Sequence, residues 1–448
     1  MAGASLLKSS ENLHHAYQAQ NWLDGRLTLA GTPPGYCDAA LRRKGVCKQA
    51  RHDDWAVVTS IELEDGTSFR GHECKTEACR AIRRGGKEAW VDLAGRVREV
   101  DRREVTSRKR DWFVSFPPGP ALLFLPFVAL FGVQILDVLI TVCIASLAPM
   151  LLVRALDRIR GQNASEHLWA ALALVAASPF AFVASHGNVW FTAQVVACVA
   201  LMGYLGSASE AKEPVRAGLW LALALATRPH LAFACLWFFA EWRRGGGDRA
   251  TLIRFAVPIV LVGSALALHN YLRFENPFEF GHRFLDIRWQ ARMQEHGQFA
   301  TTYLLRNLRC AFWLWPQLHS EAPFFKVSLH GSALWLGAPW LAAVSWSGRE
   351  LFRGRAIGLW LCAFILAVPA LLYHNSGQRQ FSYRFALDWL PLVIVALAMR
   401  DAFARRSVQA LILAGAIYES VGAWHFERSP AQIFVVDPLG WPFQDEFK

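Results

Sequence analysis

Residues 1–10 hold no apolar stretch and no small-residue cleavage motif, so the sequence as it starts carries no signal peptide. No C-x₂-C pair occurs in the chain, which removes the commonest half of a structural zinc site. No internal repeat is evident either, and transporters built around a pseudo-two-fold axis usually betray one. Charged residues make up only 19% of the chain, and they are nearly missing from long stretches after Leu122. Those stretches are apolar: 54% of the 448 residues are hydrophobic, with 30 Phe and 19 Trp among them.

The apolar runs recur at 138–153, 168–185, 189–205, 255–268, 357–373, 387–399 and 408–424. Several approach the ~20 residues that cross a ~30 Å hydrocarbon core, and the shorter ones need their flanks. Only helices or closed barrels satisfy every backbone group in lipid. The expected fold class is therefore an α-helical polytopic membrane protein. A net charge of +11 would raise nucleic acid as a partner in a soluble protein. Here the arginines lie between the runs, as Arg154, Arg158 and Arg160; Arg243, Arg244 and Arg249; Arg349, Arg353 and Arg355; and Arg400, Arg405 and Arg406. They read as topology signals, and no nucleic-acid partner is expected. Placing all four groups in the cytoplasm follows the positive-inside tendency. It puts 186–188, 269–329, 373–383 and the tail after Trp424 on the opposite side. Segment 217–242 then has to enter and return, yet it is too short for two crossings. Ala226-Thr227-Arg228-Pro229-His230 interrupts it, and proline ends a hydrogen-bond ladder. The expectation is two half-helices with Arg228 at the outer tip; a single tilted span is the alternative, and it would reverse the loops that follow.

The first 117 residues are polar. Residues 12–23 space Leu13, Ala16, Tyr17 and Trp22 for one face of an amphipathic helix. Residues 56–63 alternate, Asp65-Gly66 is a hairpin turn signal, and 67–71 return; 90–93 and 96–100 flank Ala94-Gly95 in the same manner. A small β insertion at about 50–105 follows, within the usual size of a minor domain. Four cysteines there, Cys37, Cys47, Cys74 and Cys79, suit two disulfides in an oxidising compartment, with three pairings open. Zinc held with His52 or His72 is the rival reading. Arg102, Arg103, Arg108, Lys109 and Arg110 precede the first apolar run and favour a cytoplasmic domain. Segment 120–133 is short and punctuated by proline. Either a helix precedes residue 1 and the domain lies outside, or 120–133 crosses and the domain is cytoplasmic.

A series of motifs resembles the GT-C-type membrane glycosyltransferases, the class that includes protein O-mannosyltransferases and lipid A aminoarabinose transferases. In order they are Asn12-Leu13-His14-His15-Ala16-Tyr17 with Leu23-Asp24-Gly25-Arg26-Leu27, and Val114-Ser115-Phe116-Pro117-Pro118-Gly119-Pro120-Ala121. Thr227-Arg228-Pro229 comes next, then Asn270-Tyr271-Leu272-Arg273-Phe274 leading to Glu279-Phe280-Gly281-His282. Last are Gln380-Phe381-Ser382-Tyr383-Arg384-Phe385, Asp388 and Pro391. The likeness covers most of 11–400 apart from the β insertion. It implies an exoplasmic region at 1–117 holding the amphipathic helix and the β insertion, a multi-span domain at 118–425 and an exoplasmic tail at 426–448. It also implies an integral, multi-pass protein of the plasma (inner) membrane. The family has a transmembrane helix ahead of its first loop, and this sequence has none there.

The activity implied is transfer of a sugar from a polyprenyl-phosphate donor to a glycan, lipid or protein acceptor of the cell envelope at the exoplasmic face. Family members carry a catalytic acid soon after the first helix. Glu11 is the closest positional match and Asp24 the next, with Asp53, Asp54 and Asp111 behind them. Such chemistry needs a carboxylate to take the acceptor's proton and cations to stabilise the departing phosphate. No cofactor is implied, and a divalent metal is left open. Arginine suits the phosphate because its planar fork donates in pairs and stays charged. Arg228, Arg273, Arg379 and Arg384 fall on the inferred outer side with His282, and 378–388 reads as about three helical turns. Arg379 or Arg384 then holds the phosphate, with Asp388 orienting an arginine. The plainer readings are headgroup anchoring for each arginine, an Arg384–Asp388 pair four residues apart on one helix, a solvated Glu11, and packed or interfacial His186 and His230. The rival functions are a transporter or a non-catalytic membrane component of an envelope polysaccharide or lipid system.

Overall fold

The computed structural model describes residues 6–34, 54–161, 165–287, 289–346, 348, 352–426 and 428–435. His52, Cys37, Cys47, Asp53, Arg349 and 436–448 lie outside the described residues. The chain is mostly helical with one small antiparallel sheet, and it divides into two units. Leu13–Ile135 and Ser264–Ala300 form one; Met1–Asn12, Leu136–Gly263 and Thr301–Lys448 form the other. The division does not fall at residue 117, because the apolar segment after the sheet and the 264–300 loop both pack with the N-terminal region.

The smaller unit opens with α1 (His14–Leu23). Its buried face carries His14, His15, Gln18 and Asn21 beside Ala16 and Ala19, whereas Tyr17 and Trp22 of the expected apolar stripe are only half-buried. Polar side chains fit there because His14 stacks on Trp55 with ring centroids 4.1 Å apart, and Gln18 Nε2 donates to Phe116 O at 3.4 Å. Strands β1 (Trp55–Leu63), β2 (Ser68–Glu73), β3 (Glu88–Asp92), β4 (Val97–Val100) and β5 (Val105–Val114) pair in the order β4-β3-β2-β1-β5. Both expected hairpins form. The first turn is fixed by Asp65 Oδ1, which accepts from Thr67 N at 2.8 Å and Thr67 Oγ1 at 2.7 Å.

Strand β5 carries the sheet beyond residue 105, past the end expected from the sequence. Its Arg108-Lys109-Arg110 run hides the strand period and mimics a membrane-flanking charge cluster. In the fold these residues pair with Ile61, Ser60 and Thr59 of β1 on an edge strand, where charge discourages further pairing. Helix α2 (Glu77–Arg84) is capped by Thr76, whose Oγ1 accepts from Cys79 N at 3.4 Å. A disulfide joins Cys74 to Cys79. Helix α3 (Gly119–Phe131) contains Pro126 and exposes Leu122, Phe127, Leu130 and Phe131.

The larger unit contains α4 (Asp137–Ala145), α5 (Leu147–Arg160), α6 (Ser165–Val175), α7 (Phe180–Ala184), α8 (Val189–Ala208), α9 (Pro214–Thr227), α10 (Cys235–Arg244), the start of α11 (Arg249–Phe274), α12 (Ala356–Leu372), α13 (Leu390–Ala398) and α14 (Arg406–His425). Among the described residues three stretches are long and apolar enough to cross a membrane: Asp137–Arg160, Val189–Ala211 and Arg249–Phe274. Helices α8 and α13 are buried on nearly every side, α13 being wholly apolar and α8 mostly so with Thr192, Gln194 and Ser207 turned inward, as helices without a polar face must be. Helix α11 instead turns Ile253, Val257, Val260 and Leu261 outward. An apolar surface of that kind marks a contact with another apolar phase or partner.

The arginine groups meet at one end of this unit. Arg160 bonds both Glu166 and Asp401, and Arg400 Nη2 donates to Arg353 O at 3.0 Å. Arg355 donates to Ile159 O at 3.0 Å, to Ser209 Oγ at 2.8 Å and to buried Glu241. Glu241 also accepts from Arg244 Nη2 at 3.1 Å and from Glu210 N at 2.7 Å. Arg158 makes a forked pair with Glu213 at 2.7 and 2.9 Å. Glu213 precedes α9 and Arg244 ends α10, so 214–244 leaves this end and comes back to it. The two half-helices are joined by a 3₁₀ turn, Pro229–Ala234. Tyr204 of α8 clamps the return, its hydroxyl donating to Ala234 O at 2.7 Å and accepting from Phe238 N at 3.0 Å.

His72 of β2 is 5% exposed and lies edge-on to Phe284. Burial, with the positive charges of Arg283 and Lys75, pulls its pKa down from 6.5 to about 4. The folded state therefore keeps the ring neutral while the unfolded chain takes up a proton below about pH 6.5. Stability from this site is full above that pH and declines as pH falls toward 4, by about 3 kcal/mol in all. The expected outcome is a urea midpoint, followed by β-sheet circular dichroism, that drops between pH 6.5 and 4 and flattens in His72→Phe. An identical pH dependence in the variant would contradict it.

Candidate functional site

The site begins with a loop. Residues 376–383 are irregular, and a 3₁₀ turn follows at Arg384–Asp388. The three helical turns expected for 378–388 do not form because the buried Gln380 amide takes the backbone groups a helix would use. Its Nε2 donates to His330 O and Ser376 O, both at 2.9 Å, and its Oε1 accepts from Arg384 N at 3.1 Å. Gly377 makes room for it: φ is +93°, and a Cβ there would stand 2.5 Å from Gln380 Oε1. Arg379 adopts a left-handed φ of 60° and donates its N–H to Leu329 O at 2.6 Å, with its side chain exposed. Non-glycine residues held there cost free energy and cluster at functional loops.

With no helix through 384–388, Asp388 does not pair with Arg384. It turns to the break between α9 and α10 instead. Asp388 Oδ2 accepts from Arg228 Nη2 at 2.7 Å and makes a 3.0 Å bond with His230 Nε2. The carboxylate is 1% exposed, the arginine 17% and the histidine 21%, so the triad opens on the side of Arg228 and His230. His230 is thus a partner of Asp388 rather than a packing residue. Arg384 is buried too. Its Nη1 donates to Gln194 Oε1 at 3.0 Å, and Gln194 Nε2 returns a bond to Arg384 O at 3.0 Å. Both guanidiniums lie over one ring: Arg384 Cζ is 4.8 Å and Arg228 Cζ 5.7 Å from the centroid of Phe385. Such placement stabilises a desolvated cation. Tyr383 is 1% exposed, and its hydroxyl has no hydrogen-bond partner among the described residues. Arg228 Nε is likewise unpartnered there.

The depth of this group differs from the sequence expectation. Gln194 lies about 9 Å along α8 from Asn188, at 1.5 Å per residue, and Arg228 shares Phe385 with Gln194's partner. Arg228 is therefore well inside the end of α8 opposite the arginine groups, not at an outer tip. That end is held by Asp137, a buried acid the sequence reading passed over. Its carboxylate accepts from Ser10 N at 2.8 Å, Ser10 Oγ at 2.6 Å and Asn188 N at 3.3 Å. Asn12 Nδ2 adds a 3.0 Å bond to Asn188 Oδ1. These bonds fasten the residues on either side of Glu11, whose side chain is exposed. His186 is packed, bonded to Phe182 O and set against Phe426.

The remaining candidates belong to the smaller unit. Asp24 is exposed, and bonds from Gln20 and Arg26 hold its carboxyl below the usual carboxylate range, which makes it a weak base. Arg273 is 1% exposed and donates to Val114 O and Asn270 Oδ1, both at 2.8 Å, and to His269 O at 3.3 Å. It ties the end of α11 to the end of β5, a structural task. His282 is half-buried, edge-on to Phe116, on a turn fixed by Glu279 Oε1 accepting from Gly281 N at 2.7 Å. Asp111 sits on β5 beside Lys109, and Asp54 O accepts from Ser115 Oγ at 2.7 Å. No group of three or more His, Cys, Asp or Glu among the described residues is placed to hold a metal.

One more buried acid was legible in principle, since an ionisable residue inside an apolar run is a candidate by default. Glu419 of α14 is wholly buried, and neither carboxylate oxygen has a hydrogen-bond partner among the described residues. Gly337 leaves the space it occupies: a Cβ there would stand 1.8 Å from Glu419 Oε1. Gly337→Ala should cost about 1–3 kcal/mol through overpacking, read as a lower unfolding temperature. A midpoint equal to that of the parent would show that the carboxylate has somewhere else to go.

Comparison of the chain with models of known protein families, with curated proteins and with solved structures finds no match in any of the three.

Proposed function

We propose that the chain is a polytopic, GT-C-type glycosyltransferase of the plasma (inner) membrane, passing a sugar from a polyprenyl-phosphate donor to an envelope acceptor at the exoplasmic face. The observation that carries the reading is the pair of largely buried guanidiniums, Arg228 and Arg384, over the Phe385 ring. They lie in the part of the unit away from the four arginine groups. Groups of this kind inside an apolar bundle face a partner or a pathway. The positive-inside tendency puts the arginine end in the cytoplasm, and hence the guanidinium pair in the outer half. In this reading α6 with α7, the α9–α10 pair, and α12, α13 and α14 join the three longer stretches in the membrane, although each is shorter than the ~20 residues of a full crossing.

Arg228 and Arg384 hold the donor phosphate, and Asp388, bonded through one oxygen to both Arg228 and His230, keeps Arg228 in place. Arg379, exposed on the same loop, meets the phosphosugar as it arrives. Glu11 takes the acceptor's proton. The bond from the anomeric carbon to the phosphate oxygen breaks, its electrons leave with the polyprenyl phosphate, and a bond from the acceptor oxygen to that carbon forms. The guanidiniums stabilise the charge gathering on the phosphate, worth most where water is excluded. Arg273, His282 and Asp24 serve the frame rather than the ligand.

In proteoliposomes supplied with a polyprenyl-phosphate sugar, Arg384→Ala should lower turnover ten- to a hundred-fold, since a charge-assisted contact contributes about 1.5–3 kcal/mol. Arg384→Lys should restore only part, because lysine keeps the charge and loses the fork. Full specific activity in a folded Arg384→Ala protein would end the proposal, and full rescue by lysine would reduce Arg384 to an anchor. The topology is tested separately. In a background without the exposed Cys143, a cysteine at Arg379 should react with an impermeant thiol reagent on intact cells, and one at Arg406 only after permeabilisation. The reverse pattern would invert the membrane orientation and move the site to the wrong face.

A further inference from the structure

Where α5, α8 and α9 come together at the arginine end, a cleft opens that the transfer reaction does not use. One part encloses about 260 Å³ against Leu151, Met202 and Trp220. It continues past Arg158, Gly206 and Ser207 into a second part of about 370 Å³ that reaches Lys212. The first part is walled mainly by apolar side chains and the second by polar and charged ones. Arg154 and Arg216 also line the apolar part.

The charges along this cleft do not cancel. Arg158 is engaged by both oxygens of Glu213, and Lys212 pairs with Glu210. Asp157 is bonded to His167 at 2.8 Å. Among the described residues Arg216 reaches only Glu213, at 3.5 Å, where Arg158 is already seated. Arg154 is exposed and makes no ion pair among the described residues. The cleft thus pairs an apolar wall with one uncompensated guanidinium and one partly compensated guanidinium.

We infer that this cleft binds an anionic phospholipid, its headgroup phosphate between Arg154 and Arg216 and an acyl chain along Trp220 and Leu151. An inorganic phosphate would leave the apolar wall unused. A zwitterionic lipid would bring its own cation to a site with cations in excess. Anionic lipids of the cytoplasmic leaflet are drawn to basic groups placed at that depth. The inference rests on the membrane placement proposed above and is independent of the transfer chemistry.

Delipidated protein in a neutral detergent is titrated with short-chain phosphatidylglycerol, with phosphatidylcholine of the same chain length and with inorganic phosphate, and binding is read by native mass spectrometry. The expected result is a preference for phosphatidylglycerol over phosphatidylcholine of about tenfold, lost in the Arg154→Ala/Arg216→Ala double variant. Trp220→Ala should weaken both lipids while keeping the preference. Equal binding of the two lipids, or an unchanged preference in the double variant, overturns the proposal. Inorganic phosphate competing as well as the lipid also overturns it, leaving an anion site without a chain. The double variant changes exposed side chains only, and its unfolding temperature should match the parent's. A chain that stays dispersed without detergent would refute the membrane placement itself, whereas lost sugar transfer with the lipid preference intact would refute only the transferase reading.

Discussion

One carboxylate organises the interior of the larger unit. Asp388 is closed off from water and would be costly there alone; the Arg228 guanidinium and the His230 ring, from a distant part of the chain, offset that cost. The pairing locks the break between α9 and α10 against the turn that opens α13. It also decides where everything else in the site can go. With Asp388 committed to Arg228, Arg384 is left to the Gln194 amide and to the faces of Phe385 and Phe191. Buried ion pairs contribute little net stability, but removing one partner leaves an uncompensated charge. The arrangement therefore specifies one geometry more than it strengthens the fold.

The two ends of the same unit treat arginine in opposite ways. At one end several guanidiniums are engaged by carboxylates: Arg355 and Arg244 on Glu241, Arg158 on Glu213, and Arg160 on Glu166 and Asp401. Backbone carbonyls at helix ends, such as Ile159 O and Arg353 O, absorb further donors. Toward the other end Arg228 pairs with Asp388 and lies on the Phe385 ring, and Arg384 meets the Gln194 amide and the same ring, with room for an incoming anion to compete for their donors. Burial and partner type, more than net charge, separate an arginine that fastens helices from one that can hold a ligand.

In the smaller unit the same residue type does purely internal work. Arg273 spends its donors on Val114 O, Asn270 Oδ1 and His269 O and lies against Phe274. That fixes the end of α11 to the last residue of β5, where the charged strand ends in the buried Trp112-Phe113-Val114.

Each apolar run in the sequence is helical over most of its length, both hairpins of the sheet stand where their turn residues put them, and the helix break at Arg228-Pro229 is present. These features follow from local chemistry: apolar length, alternation, and proline's missing donor all act within a few residues. The four arginine groups could also be assigned to one end, because each is a local property of the gap between two runs. Strand β5 was not legible, since its basic middle carries no apolar alternation and becomes a strand only by pairing with β1. The 378–388 stretch looked helical by spacing, yet Gln380 diverts the backbone through bonds to His330 O and Ser376 O that no local pattern announces. Asp388 offered Arg384 as its nearest partner along the chain and took Arg228, 160 residues away, while Asp137 and Gln194 acquired meaning only once their surroundings were assembled. Periodicity and turn chemistry are short-range and can be read from sequence; which buried charge meets which is settled by packing, because in a dry interior the partner that fits displaces the one that is merely close.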